Sequence, residues 1–137
     1  MDGIFDYTFI SKSTLGRFHW ENDFSVAQRD EFVKVFSKFL GNTYLEKIQE
    51  GYENQKVDYL SEDMLTPSKA VVKTSITSPK NQIPVDYFMR AQDGTWKIYD
   101  VNVEGVSLVQ NYRSQFNSFL LNQKAEKLID QLRSKIQ

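Results

Sequence analysis

The sequence predicts an α+β domain in which a curved antiparallel sheet packs against helices, and three observations predict it. Apolar residues recur at intervals of three and four in the first third of the chain and again in its last quarter, whereas Val57 to Glu104 is β-branched, aromatic and alternating. Within that middle stretch Gln92-Asp93-Gly94-Thr95 supplies Asp-Gly, the strongest short hairpin signal, so the strands on either side run antiparallel. Aromatic residues make up 14% of a chain whose mean hydropathy is only −0.51, a surplus that points to a large enclosed apolar volume. Helices grouped before and after an antiparallel meander give α+β rather than a parallel α/β arrangement. The 137 residues fit one domain, 1–137, without a disulfide or metal staple.

Each element has its own signal. Residues 4–15 carry Phe5, Phe9, Ile10 and Leu15 and stop at Gly16, a usual residue after a helix end, so a short helix is expected there. Ser25 with Gln28 makes a capping box, after which Phe32, Phe36, Phe39, Leu40, Tyr44 and Ile48 trace one long amphipathic helix over roughly 26–50. Gly41 inside it costs about 1 kcal/mol relative to alanine, so it marks a bend or a close approach of another element. Four strands follow, at Val57–Tyr59, Val71–Ile76, Ile83–Met89 and Trp96–Val103. The third alternates cleanly, with Ile83, Val85, Tyr87 and Met89 on one face and Pro84, Asp86, Phe88 and Arg90 on the other. In the fourth, Trp96 and Ile98 share one face while Tyr99, Val101 and Val103 share the opposite one. Either a bulge sits near Ile98-Tyr99 or both faces are covered. Ser107 with Gln110 forms a second capping box ahead of Leu108, Val109, Tyr112, Phe116, Phe119 and Leu120, and a last helix carries Ala125, Leu128, Ile129, Leu132 and Ile136.

Composition excludes several classes of function. Seventeen Lys and Arg against 18 Asp and Glu give a net charge of −1 without long runs of either sign, which argues against a nucleic-acid binder. Cysteine is absent and His19 is the sole histidine, so no zinc site, disulfide framework or thiol enzyme is expected. The six glycines are isolated and form no phosphate-binding loop, and no cofactor is expected. No stretch approaches the ~18 consecutive apolar residues of a membrane span, and Met-Asp-Gly-Ile-Phe-Asp-Tyr lacks the basic start and apolar core of a secretory leader.

Two constellations invite a catalytic reading. Asp86 and Asp100, among several tyrosines in the strand region, resemble an acid–base pair that, in a cone-shaped pocket, would isomerise or dehydrate a small apolar substrate. The plainer reading has Asp86 facing solvent and Asp100 paired with a base such as Arg113. His19, between Phe18 and Trp20, fits a packed aromatic cluster better than a catalytic role.

The run Ile83-Pro84-Val85-Asp86-Tyr87, then Asp93-Gly94-Thr95-Trp96-Lys97-Ile98-Tyr99-Asp100-Val101, Val103-Glu104-Gly105-Val106-Ser107-Leu108-Val109 and Asn111-Tyr112-Arg113-Ser114-Gln115-Phe116, resembles the MlaC family of toluene-tolerance, phospholipid-binding proteins. Phe5-Asp6-Tyr7, Leu15-Gly16-Arg17, His19-Trp20, Gln28-Arg29 and Phe32 are similar to that family's earlier pattern. The resemblance covers nearly the whole chain and is most specific from Asp93 to Phe116. The expected fold is a curved four-stranded antiparallel sheet against N-terminal and C-terminal helices, of the cystatin-like or nuclear-transport-factor-2-like kind. The resemblance implies a noncatalytic periplasmic carrier, exported by a signal peptide that this chain does not include. It would ferry phospholipid between an outer-membrane lipoprotein complex and an inner-membrane ABC transporter complex; a related subgroup is associated with hopanoid lipids. Family members carry a signal peptide and a further helical segment before the Phe-Asp-Tyr position, near which this chain begins.

The acyl chains are then expected against the apolar faces that a sheet-around-helix fold turns inward. These are Phe36, Phe39, Leu40 and Tyr44 on the long helix, Val85, Tyr87 and Met89 on the third strand, Val101 and Val103 on the fourth, and Val109, Tyr112 and Phe116 after Gly105.

Overall fold

The computed structural model describes residues 4–45, 56–77 and 82–136. Two compact units emerge: Met1–Asp6 with Gly51–Val109, which holds the sheet, and Tyr7–Glu50 with Gln110–Gln137, which holds the helices.

The sheet is an antiparallel meander of β1 (Lys56–Thr66), β2 (Lys69–Thr77), β3 (Gln82–Gln92), β4 (Thr95–Val103) and β5 (Val106–Ser107), hydrogen-bonded in sequence order. It has five strands rather than the four expected. At Glu104 and Gly105 φ is +53° and +83°, which makes a two-residue hairpin turn whose twist matches that of the flanking strands. The chain therefore folds straight back, and Val106 and Ser107 pair with Val103 and Asn102. Two residues are too few to register an alternating pattern, so β5 left no apolar signature. The expected turn at Asp93-Gly94 forms in the same way, with φ of +54° and +80°. Ahead of the helices, Phe5 bridges Ile98, and the Asp6 N–H donates to the Ile98 carbonyl at 2.9 Å. The Asp6 carboxylate lies 3.3 Å from the Arg90 guanidinium, tying that segment to β3 as well.

The helical unit begins with α1 (Tyr7–Asn22), broken at Gly16, where φ and ψ are 79° and 159°. The helix expected to end there resumes as a second helical segment reaching Asn22. In α2 (Val26–Leu40), the Ser25 hydroxyl accepts from the Gln28 N–H while the Gln28 side chain accepts from the Ser25 N–H, so the capping box forms as read. This α-helix is shorter than expected. At Gly41 it passes into a single π-type turn, Gly41–Leu45, and the remainder of the expected helix lies outside the described residues. Next come α3 (Leu108–Leu120) and α4 (Ala125–Ser134). The inward stripe of α4, Ala125, Leu128, Ile129 and Leu132, is buried, and Arg133 pairs with Glu31 of α2. None of the described helices is long and apolar enough to cross a membrane.

Candidate functional site

The register of the sheet decides which side chains share a face. Opposite β3, Val85 faces Val103 and Tyr87 faces Val101, but Met89 faces Ile98 rather than Tyr99. Tyr99 is the extra residue of a β-bulge, and one unpaired residue resets the side-chain parity of everything beyond it. The parity switch noted in β4 thus resolves as a bulge, and Ile98 joins Val101 and Val103 on one face. On the other side of β3, Thr74 faces Val85, Val72 faces Tyr87 and Ala70 faces Met89.

Three rows result, Thr74–Val85–Val103, Val72–Tyr87–Val101 and Ala70–Met89–Ile98, forming an apolar face three strands wide. Its one hydroxyl-bearing aliphatic residue is satisfied internally, because the Thr74 hydroxyl donates to the Val85 carbonyl at 2.8 Å. Ala70, Thr74, Val85 and Ile98 are buried, whereas Val72, Tyr87, Met89, Val101 and Val103 are half-buried. Burial pushes the Tyr87 phenol pKa above its usual 10, so the ring meets this face as a neutral group. Five expected binding residues, Val85, Tyr87, Met89, Val101 and Val103, lie together here. Ala70, Val72 and Ile98 belong with them and were not anticipated, Ile98 because its placement turns on the bulge.

On the opposite face, Tyr99 tilts against Phe88 with ring centroids 6.2 Å apart, and the Lys69 ammonium stands 5.9 Å from the Tyr99 centroid. Asp100 is committed to structure. Its Oδ1 accepts from the Val101 and Val109 N–H groups at 2.8 and 3.1 Å, and its Oδ2 accepts from the Ser107 hydroxyl at 2.5 Å. A carboxylate receiving an N–H from the first turn of a helix satisfies one of the donors left open there and suits the positive end of the helix dipole. The expected pairing with Arg113 is replaced: the Arg113 Nε–H donates to the Ser13 carbonyl at 2.9 Å.

The expected residues on the helices are arranged differently. Phe36, Phe39, Tyr112 and Phe116 pack against one another and Phe32, with ring centroids 5.3–6.1 Å apart. Phe24 extends the cluster through Phe32 at 5.5 Å. Phe32 and Phe36 are wholly inaccessible, and Leu40 and Val109 are buried. Tyr44 lies in the π-type turn, and its side chain is outside the described set. Edge-to-face packing at these separations is the preferred aromatic geometry and knits α2 to α3.

His19 is held by two acceptors, Asp23 Oδ2 at 2.5 Å from Nδ1 and Asn117 Oδ1 at 2.9 Å from Nε2. Desolvation lowers its pKa, but the bonds to Asn117 and Asp23 and the Asp23 charge outweigh it, and the net shift is upward from 6.5. An oxygen faces each ring nitrogen, an arrangement that favours the protonated imidazolium, in which both nitrogens donate. Phe18 meets it edge-on at 5.7 Å, so the aromatic packing read from the sequence is present.

Comparison with known proteins gives this arrangement a family. The sequence pattern described as MlaC protein matches residues 1–134. The chain belongs to the MlaC family. The Haemophilus influenzae intermembrane phospholipid transport system binding protein MlaC is 25% identical over 113 residues, which are 79% of this chain and 52% of that protein. This chain thus spans about half the length of that curated relative. Among solved structures, a phospholipid-binding protein from Ralstonia solanacearum, in complex with a phospholipid, superposes with a TM-score of 0.85 at 21% identity. That match covers 99% of this chain and 75% of the other, so the two share a fold over nearly all of this one.

Proposed function

We propose that this chain is a noncatalytic phospholipid carrier, holding the acyl chains of its cargo against the apolar face of the sheet. The observation that carries the reading is that face, in a chain of the MlaC family. Four buried residues anchor it, Ala70, Thr74, Val85 and Ile98, while Tyr87, Met89, Val101 and Val103 keep accessible apolar surface. A diacyl lipid crossing water exposes on the order of 30 methylenes, a cost of roughly 24 kcal/mol at about 0.8 kcal/mol each, so it travels only with apolar cover.

Within the proposal, residues 1–137 act as one carrier domain, and Phe36, Phe39, Leu40, Tyr44, Val109, Tyr112 and Phe116 are further candidates for the lining. The sheet residues are the sharper candidates, because the aromatic side chains of the helices already satisfy one another. The partners are those of a periplasmic shuttle: an outer-membrane lipoprotein complex that gives or receives lipid and an inner-membrane ABC transporter complex at the other end. The commitment of Asp100 to three structural donors supports the noncatalytic reading over an isomerase or dehydratase.

Incubation of delipidated protein with vesicles of phosphatidylethanolamine and phosphatidylglycerol, followed by gel filtration, tests the proposal. Phospholipid should elute with the protein. Protein that emerges lipid-free from these vesicles, but loaded from hopanoid-containing ones, would reassign the cargo; lipid-free protein from both would overturn the reading.

A further inference from the structure

Strand β1 is an eleven-residue edge, and among the described residues no strand pairs with its outer side. Half the backbone N–H and C=O groups of such a strand point outward, a template for a further strand. Four of its side chains are large, apolar and exposed: Tyr59 by 63%, Leu60 by 61%, Met64 by 58% and Leu65 by 52%. Leu60 and Leu65 are the extra residues of two bulges, since pairing passes from Tyr59–Thr74 to Ser61–Lys73 and from Met64–Ala70 to Thr66–Lys69. Tyr59, Glu62 and Met64 consequently continue the sheet face of Thr74, Val72 and Ala70, whereas Asp58, Ser61 and Asp63 continue the opposite one.

The charge of the strand selects the occupant. Lys56–Thr66 contains Asp58, Glu62 and Asp63 against the single Lys56, a net charge of −2 in a chain whose total is −1. A second copy pairing edge to edge would bring six carboxylates together with two ammonium groups, and like charges across a sheet are destabilising. An alternating segment with apolar side chains on one face and Lys or Arg on the other meets both requirements, its cations beside Asp58 and Asp63 and its apolar groups beside Tyr59 and Met64. We propose that β1 is a docking edge for an extended basic segment of a partner protein, which adds to the sheet next to β1. Bulges and carboxylates are also what keep a free edge from pairing indiscriminately, so the same features confer selectivity.

The test uses the whole chain and two fluorescein-labelled decapeptides, alternating Lys-Val and alternating Glu-Val, read by fluorescence anisotropy and by backbone amide NMR. The basic peptide should bind, with shifts concentrated in Lys56–Thr66, and the acidic one should not. Asp58→Lys together with Asp63→Lys, which reverse the charge on the face that the peptide's cations meet, should weaken binding of the basic peptide by about tenfold or more. Equal binding of the two peptides, or shifts concentrated on the helices, would overturn the proposal. So would a dimer seen by sedimentation that protects the β1 amides. Should the double variant misfold, the contrast between the peptides and the shift map on the unaltered chain decides.

Discussion

The Ser107 hydroxyl donates to Asp100 Oδ2 at 2.5 Å, joining the end of the meander to the start of α3. With the Val101 and Val109 N–H groups on the other oxygen, one carboxylate closes the β4–β5–α3 corner. Asp100→Ala leaves those donors without their acceptor, and losses of caps and part-buried hydrogen bonds cost about 1–3 kcal/mol. Urea denaturation should show a loss of this size while the folded variant retains lipid. A variant that stays as stable as the parent but loses a catalytic turnover would favour the enzyme reading instead.

Gly16 occupies φ 79° and ψ 159°, a region open essentially to glycine alone, and no atom lies within 4 Å of where a Cβ would project. The penalty for a side chain there is purely one of backbone strain. Gly16→Ala should therefore destabilise the protein by about 1–3 kcal/mol. Chemical ligation of D-alanine at the same position, for which positive φ is natural, should restore the melting temperature.

The raised pKa of His19 gives stability a defined pH dependence. A group that binds its proton more tightly when folded adds stability in full below its unfolded value, near 6.5, and loses that contribution as pH rises through the higher folded value. The difference in urea midpoint between the parent and His19→Gln should be largest at pH 5–6 and shrink toward pH 8. An increase with pH would contradict the Asp23–His19–Asn117 arrangement.

Charge insertion separates the sheet face from the aromatic cluster. Phe36 is wholly buried between Phe32, Phe39, Tyr112 and Phe116, and Phe36→Glu leaves an unpaired carboxylate where it costs several kcal/mol, so the variant should not fold. Val103 is only half-buried. Val103→Glu should remain folded by circular dichroism and bind markedly less phospholipid. The opposite pattern would move the acyl chains from the sheet to the helices.

Much of this was legible in the sequence because the signals were local. The Ser25–Gln28 capping box, the Asp93-Gly94 turn and the alternation through Val85, Tyr87 and Met89 each depend on neighbours within a few residues, and each appears in the fold. The fate of β4 was only half legible. Its apolar residues change parity at Ile98-Tyr99, but that a bulge is the cause rests on cross-strand register, which no window of sequence contains. Strand β5 was missed because its turn uses Glu104 rather than the usual Asn or Asp, and its two residues carry no period. The partners of Asp100 were missed for another reason. Two of its three donors are backbone N–H groups, which every residue but proline carries and no residue identity betrays.

The central claim, that the chain carries phospholipid on its sheet face, meets its most direct test in what the protein holds when it is purified from a host with membranes. Organic extraction followed by mass spectrometry should release diacyl phospholipid from the unaltered chain and far less from an equal amount of folded Val103→Glu. Lipid-free protein, or equal phospholipid from both, would contradict the account.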